Sequence, residues 1–282
     1  MPKRFSTARG REFGEGLRAA LAHAGLSGRA AAELLGCQEA KVSDLVNGKG
    51  GSNETELARL LGVCRAKPAE CEHLLDLFPD TDVKGWWQQH GSRSPVRNRT
   101  FVEHMAVAKK LVSWQPHMIP DALQTAAYAR GVLRASSTVP AEEVEARVAA
   151  RLEMHEQLRR GLSCSFFLHE FALRLCVDSV ETQAEQTRHL LRMATRSNTK
   201  IRILPADSGA HAGLHGPFTQ FSFHQYEPLV WVEGENFSLI LEEKAAVKSY
   251  ETIVDSLGQT SLDADTSKEV ITDLLRTIEK SG

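Results

Sequence analysis

Along the first 78 residues, apolar side chains recur every three or four positions in five short bursts, separated by glycine, serine, asparagine and proline. In "EFGEGLRAALAHA" the residues Phe13, Leu17, Ala20, Leu21 and Ala24 fall on one helical face, and Gly25 stops the helix. Ser27 is a good N-cap for a second helix through Leu35, and Gly36 supplies a tight turn. A third helix is expected from about Glu39 to Val46, with Val42, Leu45 and Val46 turned inward. Asn47 and Gly48 end it, because both tolerate the left-handed backbone. A fourth helix covers about Glu54 to Leu61, and "PAECEHLLDLF" is a fifth. Five short helices of this kind close on themselves as one all-α bundle, residues 1–78.

The pattern then changes. "PDTDVKGWWQQHGSRSPVRNR" is rich in proline, glycine, serine and charge, and reads as a junction over 79–100. Within it the adjacent Trp86 and Trp87 cannot share a face of regular structure, so one is expected to anchor the core of the second domain. Residues 101 to 134 read as helices interrupted by "QPHMIP". "AEEVEARVAARLEMHEQLRR" reads as a long amphipathic helix with Val144, Val148, Leu152, His155 and Leu158 on one stripe. After Gly161 the period shortens. "SCSFFLHEFALRL" begins as a strand, and "KIRILP", "PFTQFSF", "PLVWVEG" and "FSLILE" alternate as strands. "SVETQAEQTRHLLRMATRS", "EKAAVKSYETIVDSL" and "SKEVITDLLRTIEK" are helical. Residues 101–282 are therefore expected to form a larger α+β domain, a small sheet flanked by helices.

Composition narrows the class of protein. The 282 residues are 42% hydrophobic and 25% charged, as in an ordinary globular chain of two domains. No apolar run approaches the length of a membrane span, and the basic start "MPKRFSTARGREF" lacks the apolar stretch of a secretory signal, so a cytoplasmic protein is expected. The five cysteines are scattered with no C-x-x-C pair, which predicts reduced, mostly buried thiols and no zinc site. Charge is uneven. Through Lys67 there are eleven Lys and Arg against seven Asp and Glu, a balance of +4; with −2 for the whole chain, the remainder carries −6. A basic head on an acidic body suits a nucleic-acid module joined to a regulatory domain.

"LSGRAAAELLGCQEAKVSDLVNGK" resembles the Cro/repressor (XRE) helix-turn-helix, whose pattern Leu26, Ser27, Ala32, Leu35, Gly36, Val42, Ser43, Leu45 and Gly48 fit. Downstream, "GWWQQHG", "WQPHMIPDALQTAAYARGVL", "RVAARLEMHEQL" and "ILPADSGAHAGLHGPFTQFSF" resemble the actinobacterial regulators often called WhiJ-like, across nearly the whole chain. The resemblance implies a transcriptional regulator of development or secondary metabolism that binds double-stranded DNA through its N-terminal domain. It also implies a small partner protein encoded nearby, and a homodimer on two-fold sites. The sequence departs from the pattern at Gln38, where a small hydroxyl N-cap is usual, and at Val46, Asp44 and Ala31.

In such a fold the third helix enters the major groove N-terminus first, so Gln38, Glu39, Ala40, Lys41, Ser43 and Asp44 are the candidates to face DNA. A carboxylate can accept from the cytosine amino group, which lets Glu39 or Asp44 specify a base. Phosphate contacts must then supply affinity, from Arg29, Lys41, Lys49 and the N-terminal Lys3, Arg4, Arg9 and Arg11. In the second domain, "DSGAHAGLHGPF" is the richest non-helical stretch. It reads either as a loop shaping a ligand or partner surface or as a connector packing Leu214 and Phe218. His211 and His215, with Trp87 and Arg97 of the junction, are the candidates for a surface that takes a partner or a small-molecule effector. Gly213 and Gly216 argue against a helix there and no carboxylate or cysteine completes a site, so neither metal nor cofactor is expected. Glu170, Arg174 and Glu233 are candidate polar pocket groups. No phosphate-cradling glycine loop, G-x-S-x-G elbow or H-E-x-x-H occurs, so no enzyme is expected. The rival reading is a degenerate regulator that acts as a protein-interaction module without touching DNA.

Overall fold

A computed structural model of the chain describes residues 7–48, 52–81, 85–89, 95–159, 161–235 and 237–281. The chain divides into two compact units. The first comprises 1–86 together with 225–227 and 240–243; the second comprises the remaining segments.

In the first unit five helices follow one another: α1 (Ala8–His23), α2 (Gly28–Leu35), α3 (Glu39–Val46), α4 (Glu54–Val63) and α5 (Pro68–Leu77). Their ends have local causes. Thr7, Ser27 and Asn53 each accept a backbone N–H of the helix they open, and Glu56 completes a capping box with Asn53. Gly36 closes α2 in the left-handed region at φ 67°. Most positions of the expected stripes are the core: Phe13, Leu17, Leu21, Ala31, Ala32, Val42, Leu45, Leu57, Leu60, Leu61, Leu74 and Leu77 are buried, whereas Ala24 and Val46, expected to turn inward, are only half-buried. At the end of α3 the two expected left-handed residues behave differently. Asn47 keeps φ at −93°, and Gly48 alone turns, at φ +65°. Gly48 also lies so close to α1 that a Cβ there would meet the Gly10 carbonyl oxygen at 2.2 Å.

Two short segments from later in the chain belong to this unit. The Glu242 carboxylate accepts from Ala8 N at 2.6 Å, in the first turn of α1, and lies 3.8 Å from the Arg11 guanidinium. Both side chains are almost wholly buried. The Arg11 guanidinium sits 4.9 Å from the centre of the Tyr226 ring. Burial pulls the Arg11 pKa down while Glu242 opposes the shift. Arg11 is therefore structural, which corrects its expected role as a phosphate contact. Arg9 is half-exposed and lies against the end of α5, donating to the Leu77 and Asp76 carbonyls.

The second unit holds a mixed sheet with helices. Strands β1 (Trp86–Gln89), β2 (Ala108–Gln115), β3 (Ser163–His169), β4 (Thr199–Leu204), β5 (Phe218–Phe223), β6 (Leu229–Glu233) and β7 (Phe237–Leu241) run in the order β1-β7-β6-β5-β2-β3-β4. The pairs β2–β3 and β3–β4 are parallel, whereas β2–β5 and β5–β6 are antiparallel. The helices are α6 (Pro95–Val107), α7 (Ala126–Ala135), α8 (Val144–Arg159), α9 (Glu170–Arg174), α10 (Val180–Ala194), α11 (Lys244–Thr260) and α12 (Ala264–Ser281). The expectation of helix through 101–134 is corrected by β2, an interior strand of the sheet. Leu111, Val112, Ser113 and Trp114 are buried in succession because both faces of β2 are covered. A strand buried on both faces shows no alternation and cannot be told from buried helix by period.

Candidate functional site

The helix pair α2–α3 displays a polar face. Gln38, Glu39, Ala40 and Ser43 are exposed, and Lys41 and Asp44 are half-exposed. The departure at Gln38 has its structural counterpart: it is the N-cap of α3 and makes no side-chain cap bond. The back of the helix is fixed by Val42 and Leu45 in the core and by Arg18, which donates to the Val46 carbonyl at 2.7 Å and pairs with Glu15. At the other departures, Ala31 is fully buried, and the Val46 carbonyl lies where a Cβ on Gly14 would stand 2.3 Å from it. A small residue at position 14 thus lets α3 lie directly on α1.

The cations of this face have partners. Lys41 Nζ lies 2.6 Å from Glu56 of α4, and that ammonium, with Ser52, holds the Glu56 carboxyl down at about 2. Arg29 pairs with Glu33 one turn along α2, both well exposed. From residue 28 to 48 two cations face three acids, a balance of −1. Lys49 lies outside the described residues, as do Lys3, Arg4 and Arg93 and the side chains of Trp86, Trp87, Arg97 and Arg99.

In the second unit the 207–217 loop is fastened to β2. Trp114 Nε1 donates to the Gly213 carbonyl at 2.8 Å, and a Cβ on Gly213 would run into the Trp114 ring. His211 accepts from Gly213 N, lies edge-on to Trp114 at 5.2 Å, and stacks with His169 at 5.8 Å. Burial and His169 lower the His211 pKa. His215 and Leu214 are exposed instead, so the two histidines point to different surroundings and Leu214 does not pack on the sheet. Glu170 pairs with Arg174 and accepts from Ala206 N. Among the described residues no group of three or more His, Cys, Asp or Glu is placed to hold a metal. All five cysteines are free thiols, but only Cys64 and Cys164 are fully buried, fewer than expected.

A cavity of about 310 Å³ opens elsewhere in this unit, on the sheet face that carries Leu111, Ser113 and Gln115. The register brings Phe166, Ser113, Thr219 and Trp231 into one row across β3, β2, β5 and β6. Helices α6, α7 and α8 and the 118–122 turn wall it, and of the sequence candidates Glu233 lines it whereas His211 and His215 do not. The lip is braced. Arg151 pairs with Asp121 at 3.3 Å and donates to Gln124, which in turn donates to the Ile119 carbonyl and to Asp121. The row residues escaped sequence reasoning because each sits singly in an apolar strand; the signal available was the polar Thr219 inside "PFTQFSF".

Residues 12–74 match the family described as a helix-turn-helix domain, which makes the chain a helix-turn-helix protein of the DNA-binding regulator class, with DNA as its partner. Residues 98–273, more than half of the chain, match a domain of unknown function, DUF5753, and the chain belongs to that family. No curated protein matches the chain. No helix among the described residues is long and apolar enough to cross a membrane.

Proposed function

We propose that this protein is a sequence-specific transcriptional regulator of the Cro/repressor, WhiJ-like kind. In this reading α3 enters the major groove and the second unit decides when it does so. The observation that carries the reading is the exposed edge of α3 and its N-cap, Gln38, Glu39, Ala40 and Ser43, held on a buried apolar back within a helix-turn-helix domain. Glu39 and Asp44 serve choice of base by accepting from cytosine. Arg29 and Lys49, with the cations ahead of α1, serve affinity through phosphates. Lys41 joins them only by exchanging Glu56 for a phosphate oxygen. The protein acts in the cytoplasm as a homodimer on two half-sites, without a catalytic step, and regulates development or secondary metabolism. The second unit takes a signal, a small ligand or a small partner protein encoded nearby.

The test is a gel shift with the DNA upstream of its own gene, followed by a site selection on wild type and Asp44→Asn. A shifted band whose preferred base changes at one position in Asp44→Asn supports the reading. A protein that shifts no sequence at low salt is an interaction module instead, and the proposal fails.

A further inference from the structure

We propose that the cavity on the β2–β5–β6 face is the binding site for an uncharged small molecule with an apolar body and a hydrogen-bond acceptor for the Ser113–Thr219 pair. Its use as a regulatory signal rests on the proposal that the second unit controls DNA binding; the site itself stands on the cavity.

Three observations fix the chemistry of the ligand. The first is the lining: Leu111, Leu133, Met154, Phe101, Phe166 and Trp231 supply apolar and aromatic groups and Ser113, Gln115, Ser136 and Thr138 polar ones, around a volume at the lower end of the roughly 300–1,000 Å³ range of ligand sites. Phe101 stands edge-on to Trp231 with ring centres 5.5 Å apart, so the aromatic wall is preformed.

The second is a polar row without enough partners. Ser113 and Thr219 are buried, and Thr219 Oγ1 lies 3.1 Å from Ser113 Oγ. One hydroxyl proton is used in that bond, leaving the other free to donate. An incoming carbonyl or ether oxygen can accept that proton.

The third is charge. The lining contains Arg147 and Arg151 against Asp121, Glu233 and Glu235, two cations to three acids. Both arginines already hold carboxylates, Arg147 with Glu143 at 2.7 Å and Arg151 with Asp121. An anionic ligand would have to break one of these pairs, whereas a neutral one leaves both intact.

Nile red, a neutral planar dye with a carbonyl, is a suitable probe for fluorescence titration of the full chain. The expected result is saturable binding of one dye per chain, with the anionic dye anilinonaphthalene sulfonate bound at least about tenfold more weakly, since no unpaired cation awaits it. Ser113→Phe, which fills the cavity, is expected to abolish binding. Ser113→Ala removes the hydroxyl and leaves the cavity open, and is expected to weaken binding about three- to tenfold. No binding to wild type, or equal binding to a folded Ser113→Phe chain, overturns the proposal. Should Ser113→Phe fail to fold, unchanged affinity in Ser113→Ala overturns it. A gel shift on the same preparations separates the two readings. DNA binding with no dye binding sinks the cavity alone; dye binding with no DNA binding sinks the regulator alone.

Discussion

Both units withdraw polar groups from water, and they do so to different ends. In the first unit the buried charged side chains come in pairs: Glu242 with Arg11 and the first turn of α1, and Glu12 with His73 at 3.0 Å. Those pairs define how α1 is seated. In the second unit Ser113 and Thr219 line a space, and their one shared hydrogen bond leaves a hydroxyl proton unmatched. A matched buried group is a structural device, whereas an unmatched one beside a cavity is an invitation to a ligand. Displayed groups follow a third logic, since on the exposed α2–α3 face Arg29 holds Glu33 in open solvent and Lys41 holds Glu56 where both remain about a third exposed.

The sharpest way to break this comparison is Glu242→Ala, which leaves Arg11 buried without its carboxylate. The expected loss is about 3–5 kcal/mol of first-unit stability, read by denaturant melts. A loss under about 1 kcal/mol would mean the pair is not structural. A fragment of residues 1–78 lacks Glu242, and also Thr81, whose carbonyl accepts from the Thr7 hydroxyl. It is expected to melt below the intact unit for the same reason.

Gly48→Ala comes next, because a left-handed backbone and a clash with the Gly10 carbonyl act together. About 3 kcal/mol is expected, with DNA binding lost in proportion as α3 lifts off α1.

The second unit offers its own imperfectly matched pair, His155 and His189, stacked with ring centres 5.4 Å apart. Burial, then His155 and Arg192, hold the His189 pKa down at about 4, against 6.5 in an unfolded chain. A depressed pKa on a base means the unfolded chain binds the proton more readily. The stability is therefore complete above about pH 6.5 and drains away as pH falls towards 4. Discounted for solvent screening, about 1–2 kcal/mol should be lost across that window, and His189→Gln should flatten the profile. An unchanged profile in the variant would assign the pH dependence elsewhere.

On the displayed face, effects should appear in DNA binding and not in stability. Glu56→Gln releases Lys41 and is expected to tighten DNA binding up to about tenfold at low salt. No gain would place Lys41 away from the phosphates. Smallest of all, Arg29→Ala should change stability by less than about 0.5 kcal/mol while reducing the salt slope of DNA binding by about one.

Periodicity and capping chemistry carry the first unit almost unaided. The positions of Ser27, Gly36, Gly48 and the Val42–Leu45 stripe specify helix, turn and helix from neighbours within a few residues, so the order of α1 to α5 and the bounds of α2 and α3 are legible in the chain, whereas α1 begins at Ala8, four residues before the expected stretch. The exposed face of α3 follows from the same spacing, as does most of α8 and the strand content after Gly161. What lay beyond reach is of one kind. Neither the strand state of β2 nor the burial of Arg11 by Glu242, 231 positions away in sequence (242 − 11), nor the row of Phe166, Ser113, Thr219 and Trp231 has any local signal. Each depends on which strand lies beside which, and a side-chain pattern of period two or 3.6 records only a segment's own exposure. Local backbone preferences thus determined the helix-turn-helix by themselves. Only the tertiary structure decided where the cavity lies and which cation of the basic head is spent inside the protein, because burial is a property of the assembled neighbours and not of the residue.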